Sequence, residues 1–219
     1  MRSANAEVFN HDSEASGYDQ DVRDEADPIR SAYRDVLAWV VAEAKIDSDS
    51  RVLELGSGTG NLSRLISTCR ELIAIDVSEK MEAIAKGKVG HLPNRRFIKA
   101  DLLEVFGQPL GHFDAVISTY TLHHLIEDEK GYLFQKIFGC LAPGGRAVFG
   151  DLMVQNEAEK TAKIRAYLSA GDGATVDALR TEFFWIVDTA VAQLETLGFQ
   201  VRTRRFSDLS YAVVAEKAR

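Results

Sequence analysis

VLELGSGTGNLS, residues 52–63, sets a short apolar run directly against three alternating glycines and then a polar segment. The run has strand length, and the apolar spacing that resumes through NLSRLIS (61–67) predicts a helix after the turn. Strand, glycine turn and helix together turn backbone N–H groups and a positive helix end toward a polar or anionic ligand. A dinucleotide fingerprint would space its glycines G-x-G-x-x-G. Gly56 and Gly58 fit that spacing, but the third place is Asn61, and the remaining glycine comes one residue early at Gly60. In the dinucleotide motif the third glycine lets the helix pack close enough for a diphosphate to reach its N-terminus. This turn departs from that requirement and suits a ligand that lacks a diphosphate.

Working outward, short strands alternate with helices. RVLEL is followed by a second strand, ELIAID, and by EKMEAIAKGK, a helix that Ser78 can cap. RRFIKAD reads as a third strand and FDAVIST as a fourth. A helix through DEKGYLFQKIFGCL runs to Pro143-Gly144-Gly145, and RAVFGDL is the fifth strand. Such alternation predicts a parallel sheet with right-handed crossovers. Residues 155–197 read as mostly helical, including the aromatic run Phe183, Phe184 and Trp185. GFQVRTRRF and SYAVVAEK then form an antiparallel hairpin turning near Ser207-Asp208. The expected architecture is a doubly wound, Rossmann-like α/β fold. Its seven-stranded sheet is mostly parallel, with a C-terminal hairpin and a helical insertion after strand five. The whole chain, 1–219, reads as one domain, with residues 1–27 as an N-terminal arm and 155–197 as a substrate lid. Pro28 opens a helical pattern carrying Ile29, Tyr33, Val36, Leu37, Val40 and Val41 on one stripe.

Composition narrows the partners. A net charge of −7 with no long basic run disfavours nucleic acid, whose affinity depends on neutralising phosphates. Arg202, Arg204 and Arg205 read as a solvated strand face. No apolar run approaches the roughly 18 residues of a membrane span, and the acidic N-terminus lacks a signal peptide's basic start. A cytoplasmic protein is expected, with Cys69 and Cys140 reduced. No cysteine and histidine spacing suggests a metal.

Two carboxylates flank the glycine turn. Glu54 suits an ammonium group, and Asp76, ending the second strand, can accept hydrogen bonds from both hydroxyls of a ribose. An amino-acid end, a ribose and an adenine without diphosphate are the parts of S-adenosylmethionine (SAM). With these residues the sequence resembles the class I SAM-dependent methyltransferase superfamily. IKADLLEV (98–105), STYTLHHL (118–125) and LAPGGRAVFGD (141–151) match further segments of it. The resemblance implies that Gly56 and Gly58 approach the methionine part and that Asp76, with Val77 beside it, holds the ribose. It also implies that Asp101 meets the adenine amino group while Leu102 lines the ring, and that Ser118 and Thr119 lie along the cofactor. FNHDSEASGYD (9–19) is similar to an arm of small-molecule members whose tyrosine, here Tyr18, covers the methionine end. More narrowly, STYTLHHLIEDEK and LRTEFFWIVDTAVAQLETLGFQV look like a bacterial, Bacillus-type family of methyltransferases of unassigned substrate.

The resemblance implies a small-molecule methyl acceptor, SAM as donor and S-adenosylhomocysteine (SAH) as product; nothing in the sequence decides between a monomer and a homodimer. Methyl transfer asks the protein to align, desolvate and, where needed, deprotonate the nucleophile. His123 and His124 follow the fourth strand and suit a general base. Adjacent residues are expected to point apart, and by analogy with relatives carrying an acid at the first place His123 is favoured. Asp151, ending the fifth strand, is the third candidate, to orient a cationic or hydroxyl substrate. One of the aromatics 183–185 is expected in the core and another in the pocket wall. No N-P-P-Y-type segment follows the fourth strand, which argues against DNA and protein amides. Other readings stay open: an RNA or protein methyltransferase, and a SAM- or SAH-binding module without turnover. A nicotinamide oxidoreductase is disfavoured by Asn61 and by the lack of a Tyr-x-x-x-Lys pair.

Overall fold

The computed structural model describes residues 2, 3, 5 and 11–219. The Phe9 end of the arm motif lies outside these residues. The sheet is built from β1 (Arg51–Leu55), β2 (Glu71–Asp76), β3 (Arg95–Lys99), β4 (Phe113–Thr119) and β5 (Leu141–Val154), all parallel, with β7 (Phe199–Arg205) and β8 (Ser210–Lys217) antiparallel at one edge. Their order is β3-β2-β1-β4-β5-β8-β7. An eighth strand, the two-residue β6 (Trp185–Ile186), pairs with the end of β5 and adds to the seven expected.

The central strands are apolar throughout because both faces are covered. Val52, Leu53, Leu55, Leu72, Ile73 and Ile75 are fully buried. One face carries α2 (Tyr33–Ala44), whose Val36, Leu37 and Val40 pack into a core with Val52, Ile117 and Val148. The other carries α4 (Glu127–Cys140) and α7 (Val187–Thr196), with Phe134 and Leu194 against Phe149 and Val213. α3 (Glu79–Lys88) follows β2, and Ser78 caps it by accepting from Met81 N at 3.1 Å. Cys69 and Cys140 are free thiols. No helix among the described residues is long and apolar enough to cross a membrane.

Four local expectations change. The helix through 61–67 is only a 3-10 turn, Ser63–Leu65, after which Ile66 is extended. Asn61, Ser63 and Ser67 fall in that stretch, and such side chains compete with the helix backbone. Helix α2 begins at Tyr33 instead of Pro28, because Asp27 ties back Ile29 N and Arg30 N and Ala32 is left-handed (φ 64°). β5 starts at Leu141, not Arg146: Leu141 pairs with Phe113, and a register shift follows across Pro143–Gly145. The insertion is α5 (Glu157–Ala170), α6 (Gly173–Thr181), β6 and α7, and the aromatic run lies outside any helix. Trp185 is fully buried, 5.4 and 5.6 Å from the Phe134 and Phe149 rings.

Strand order reverses between β1 and β4, and in open α/β sheets the crevice beyond the carboxyl ends at that point receives ligands. The ends of β1, β2 and β4 all open there.

Candidate active site

A cavity of about 1170 Å³, counting its open mouth, occupies this crevice. Its wall includes the glycine turn, Asp76 and Val77 beyond β2, Asp101 and Leu102 beyond β3, and Thr119 beyond β4. The turn is left-handed at Gly56 (φ 70°) and Gly58 (φ 50°), a conformation that disfavours side chains. A Cβ on Gly56 would lie 2.1 Å from Thr121 Cγ2, so the turn packs closely against the segment after β4. A Cβ on Gly58 would meet nothing within 4 Å, so here the backbone borders open space. Ser57 Oγ, buried in the same wall, has no hydrogen-bond partner among the described residues. An open backbone cradle, a buried hydroxyl and two strand-end carboxylates fit a ligand with an amino-acid end and a ribose.

Asp76 accepts from Gly58 N at 2.6 Å and from Ser78 N at 2.8 Å, through different oxygens. Asp101 is buried and holds Leu103 N through one oxygen and Ser3 N through the other, at 2.8 and 3.1 Å. Tyr18 also lines the wall, from α1 (Tyr18–Asp21), and its neighbours there are Tyr33 and Tyr120, stacked at 5.0 Å. Burial pushes all three phenols up, so they stay neutral. Tyr120 has a positive φ of 49°, held by its N–H on Gly150 O and its hydroxyl on Ser210 Oγ. Strain of that kind gathers at functional sites.

Two expected cofactor residues stand behind the wall. Ser118 is buried and donates to Leu55 O at 2.7 Å, bridging β4 to β1, so its hydroxyl points away from the cavity. Glu54 is 1% exposed and accepts from Ser63 Oγ. With no cation against it among the described residues, burial raises its carboxyl to about 8. The direct ammonium contact expected of Glu54 therefore gives way to a buried link to Ser63.

Another part of the site is assembled from three segments. His123 sits on a 3-10 turn (Leu122–His124) after β4, and it is 5% exposed. Its Nδ1 lies 2.5 Å from Asp151 Oδ1. Asp151 also accepts from the N–H groups of Leu122, His123 and Leu152 at 2.8, 3.1 and 2.8 Å. With three backbone N–H groups on it, Asp151 stands as the acceptor in this cluster, and its contact is with Nδ1, so Nε2 is the ring nitrogen turned away from it. Asp151 is thus not in the cavity wall; it orients His123 instead of a substrate. Both His123 and His124 line the cavity, contrary to the expectation that adjacent residues point apart. The tight turn brings the two rings to 4.0 Å.

Glu182, immediately after α6, completes this end and escaped sequence reasoning. Its Oε2 is buried, accepts no hydrogen bond among the described residues, and stands 3.6 Å from His123 Nε2. That gap is too long for a hydrogen bond. The next residue is stitched down on both sides. Phe183 N donates to His123 O at 2.9 Å, and Phe183 O accepts from Lys130 Nζ at 2.6 Å. Lys130 is 2% exposed, and burial lowers its ammonium to about 8. None of Phe183, Phe184 and Trp185 lines the cavity; the pocket-facing member of the segment is the glutamate before them. Tyr33, Tyr120, Ser57, Thr121 and Arg30 are further wall residues absent from the sequence-based set.

Residues 52–145 match the family model of a methyltransferase domain. An uncharacterized methyltransferase of Anoxybacillus flavithermus is 32% identical over 192 residues, 87% of this chain and 85% of the relative. Another, from Oceanobacillus iheyensis, is 31% identical over 179 residues, 81% of this chain and 82% of the relative. Among solved structures, magnesium protoporphyrin IX methyltransferase from Synechocystis with bound SAH matches with a TM-score of 0.66 at 19% identity, over 98% of this chain and 100% of that one. A DhpI–SAH complex matches with a TM-score of 0.65 at 22% identity, over 95% and 93%. At such identities the likeness is one of fold.

Proposed function

This chain belongs to the class I SAM-dependent methyltransferases, and from that premise we propose that it methylates a small molecule whose proton is taken by His123. The donor's sulfonium makes its methyl group electrophilic, so the reaction needs alignment and desolvation more than covalent help. Gly56, Gly58, Asp76, Val77, Asp101, Leu102, Thr119 and Tyr18 line one continuous stretch of wall and would hold the donor. The three tyrosines exclude water from its methionine side.

The observation that carries the reading is the Asp151–His123 pair opening on the cavity. Asp151 fixes the ring by its bond to Nδ1 and leaves Nε2 to accept a proton from an acceptor O–H or N–H. Glu182 beside it offers a lone pair to a second hydrogen on the same molecule. A small acceptor is favoured because one cavity must take donor and acceptor together. The chain also has a net charge of −7 and no long basic run. We place the insertion between 155 and 197 as the lid of this pocket and treat the whole chain as one catalytic unit in the cytoplasm.

The test is SAM-dependent gain of one methyl in fractionated cell extract, read by mass spectrometry. The methylated product is expected in the metabolite fraction. His123→Ala should lower turnover about 100-fold or more with SAH affinity nearly intact. Methylation confined to the RNA or protein fraction, or equal turnover in both proteins, contradicts the proposal.

A further inference from the structure

Asn61, the residue that breaks the dinucleotide spacing, is not a passive replacement. Its side chain is in the wall of the cavity, and Nδ2 donates to Asp19 Oδ1 at 2.9 Å. Thr59 Oγ1 donates to the same oxygen at 2.7 Å. Lys88 Nζ, from the last turn of α3, pairs with Asp19 Oδ2 and donates to Asn61 Oδ1 at 2.9 Å and Thr59 Oγ1 at 3.0 Å. Asn61 Nδ2 also reaches Tyr33 OH at 3.3 Å. Three segments thus meet at one carboxylate: the arm helix α1, the glycine turn and the end of α3.

The arm helix is only four residues long and contributes no fully buried side chain. Such a piece is not a stable helix by itself. Its place against the cavity rests on Val22, buried in the core directly after it, and on side-chain ties, of which Asp19 supplies three, one an ion pair. The charges are only partly screened, since the Lys88 and Asp19 side chains are 20% and 32% exposed. Burial raises the Asp19 carboxyl, yet the donors on it prevail and hold it below the usual carboxylate range. For Lys88 burial prevails over the ion pair and lowers the ammonium. The residue next to Asp19 is Tyr18, which lines the cavity.

We propose that Lys88, Asn61 and Thr59 are positioning residues that act through Asp19 to keep Tyr18 closed over the donor, so that this network sets how long the donor stays bound. The inference rests on the reading that Tyr18 covers the donor side of the cavity. Charge-assisted hydrogen bonds are the strongest of the ties, and release of the donor requires them to part.

The experiment is a chase of bound radiolabelled SAH with excess unlabelled SAH, on the full chain. It is paired with hydrogen exchange of the amides of residues 18–22. Lys88→Met and Asp19→Asn should each release SAH about tenfold faster, the factor that about 1.4 kcal/mol of lost closed-state stability gives. The same amides should exchange faster, while the melting temperature of the ligand-free protein is unchanged. The double variant should be no faster than either single one, and Lys88→Arg should restore slow release. Unchanged release from variants whose arm exchanges faster overturns the proposal, as does faster release that merely tracks a fall in melting temperature. Failure of the wild-type protein to retain SAH at all refutes the donor-cavity reading, and the latch falls with it.

Discussion

The donor end and the acceptor end of the cavity are built on different principles. The donor end is made of strand ends: the turn after β1, Asp76 ending β2, Asp101 after β3 and Thr119 ending β4. Each of these follows an apolar strand directly in the chain, so the sheet delivers them side by side. The acceptor end joins a 3-10 turn after β4, a carboxylate inside β5 and a glutamate after α6. Only tertiary packing brings those three together. A site of the first kind is written locally and serves any acceptor, whereas the second kind can change without touching the first.

The largest effect that separates the two ends is expected at Asp151. Asp151→Ala leaves three buried N–H groups and the His123 ring without their acceptor. Urea unfolding should show a loss of about 3–5 kcal/mol. A loss below about 1 kcal/mol would mean that Asp151 does not organise the acceptor end.

Next comes the carboxylate behind the glycine turn. Folded, Glu54 keeps its proton up to about pH 8; unfolded, it releases it near its ordinary value of 4.5. Between those values the folded state binds more protons, so stability contributed by the protonated group falls as pH rises through the window. Glu54→Gln removes that dependence. The variant should gain on the order of 2–4 kcal/mol over wild type above pH 8, and nothing below about pH 4.5. Parallel pH profiles would contradict the buried, uncompensated state of Glu54, and a large loss of SAH affinity would return it to the donor wall.

What was legible in the sequence follows the same division. The succession of strands, the C-terminal hairpin, the glycine turn and Asp76 could be read because each depends on local pattern, whereas the wall positions Tyr18, Asp101 and Thr119 come from the family resemblance. Ser118 and Glu54 lie on the same strands yet face neighbouring backbone and Ser63, which alternation alone does not reveal. The 61–67 stretch has helical apolar spacing, but the poor helix propensity of Asn61, Ser63 and Ser67 prevails there. Asp151 was visible as a carboxylate, but its partner was not, since only folding sets it under His123. Glu182 had no signal: a lone glutamate in a helical insertion reads as a solvated residue until its buried oxygen is seen.

The smallest of the three effects bears most directly on the donor end. Calorimetric titration of SAH and NAD into wild type and into Asp76→Ala tests whether the bend from Gly56 to Asn61 cradles a sulfonium amino acid. SAH should bind the wild type and lose about 1–3 kcal/mol in the variant, through its charged hydrogen bonds, with NAD inert toward both. Binding of NAD in place of SAH, or equal SAH affinity in a folded variant, would contradict the account.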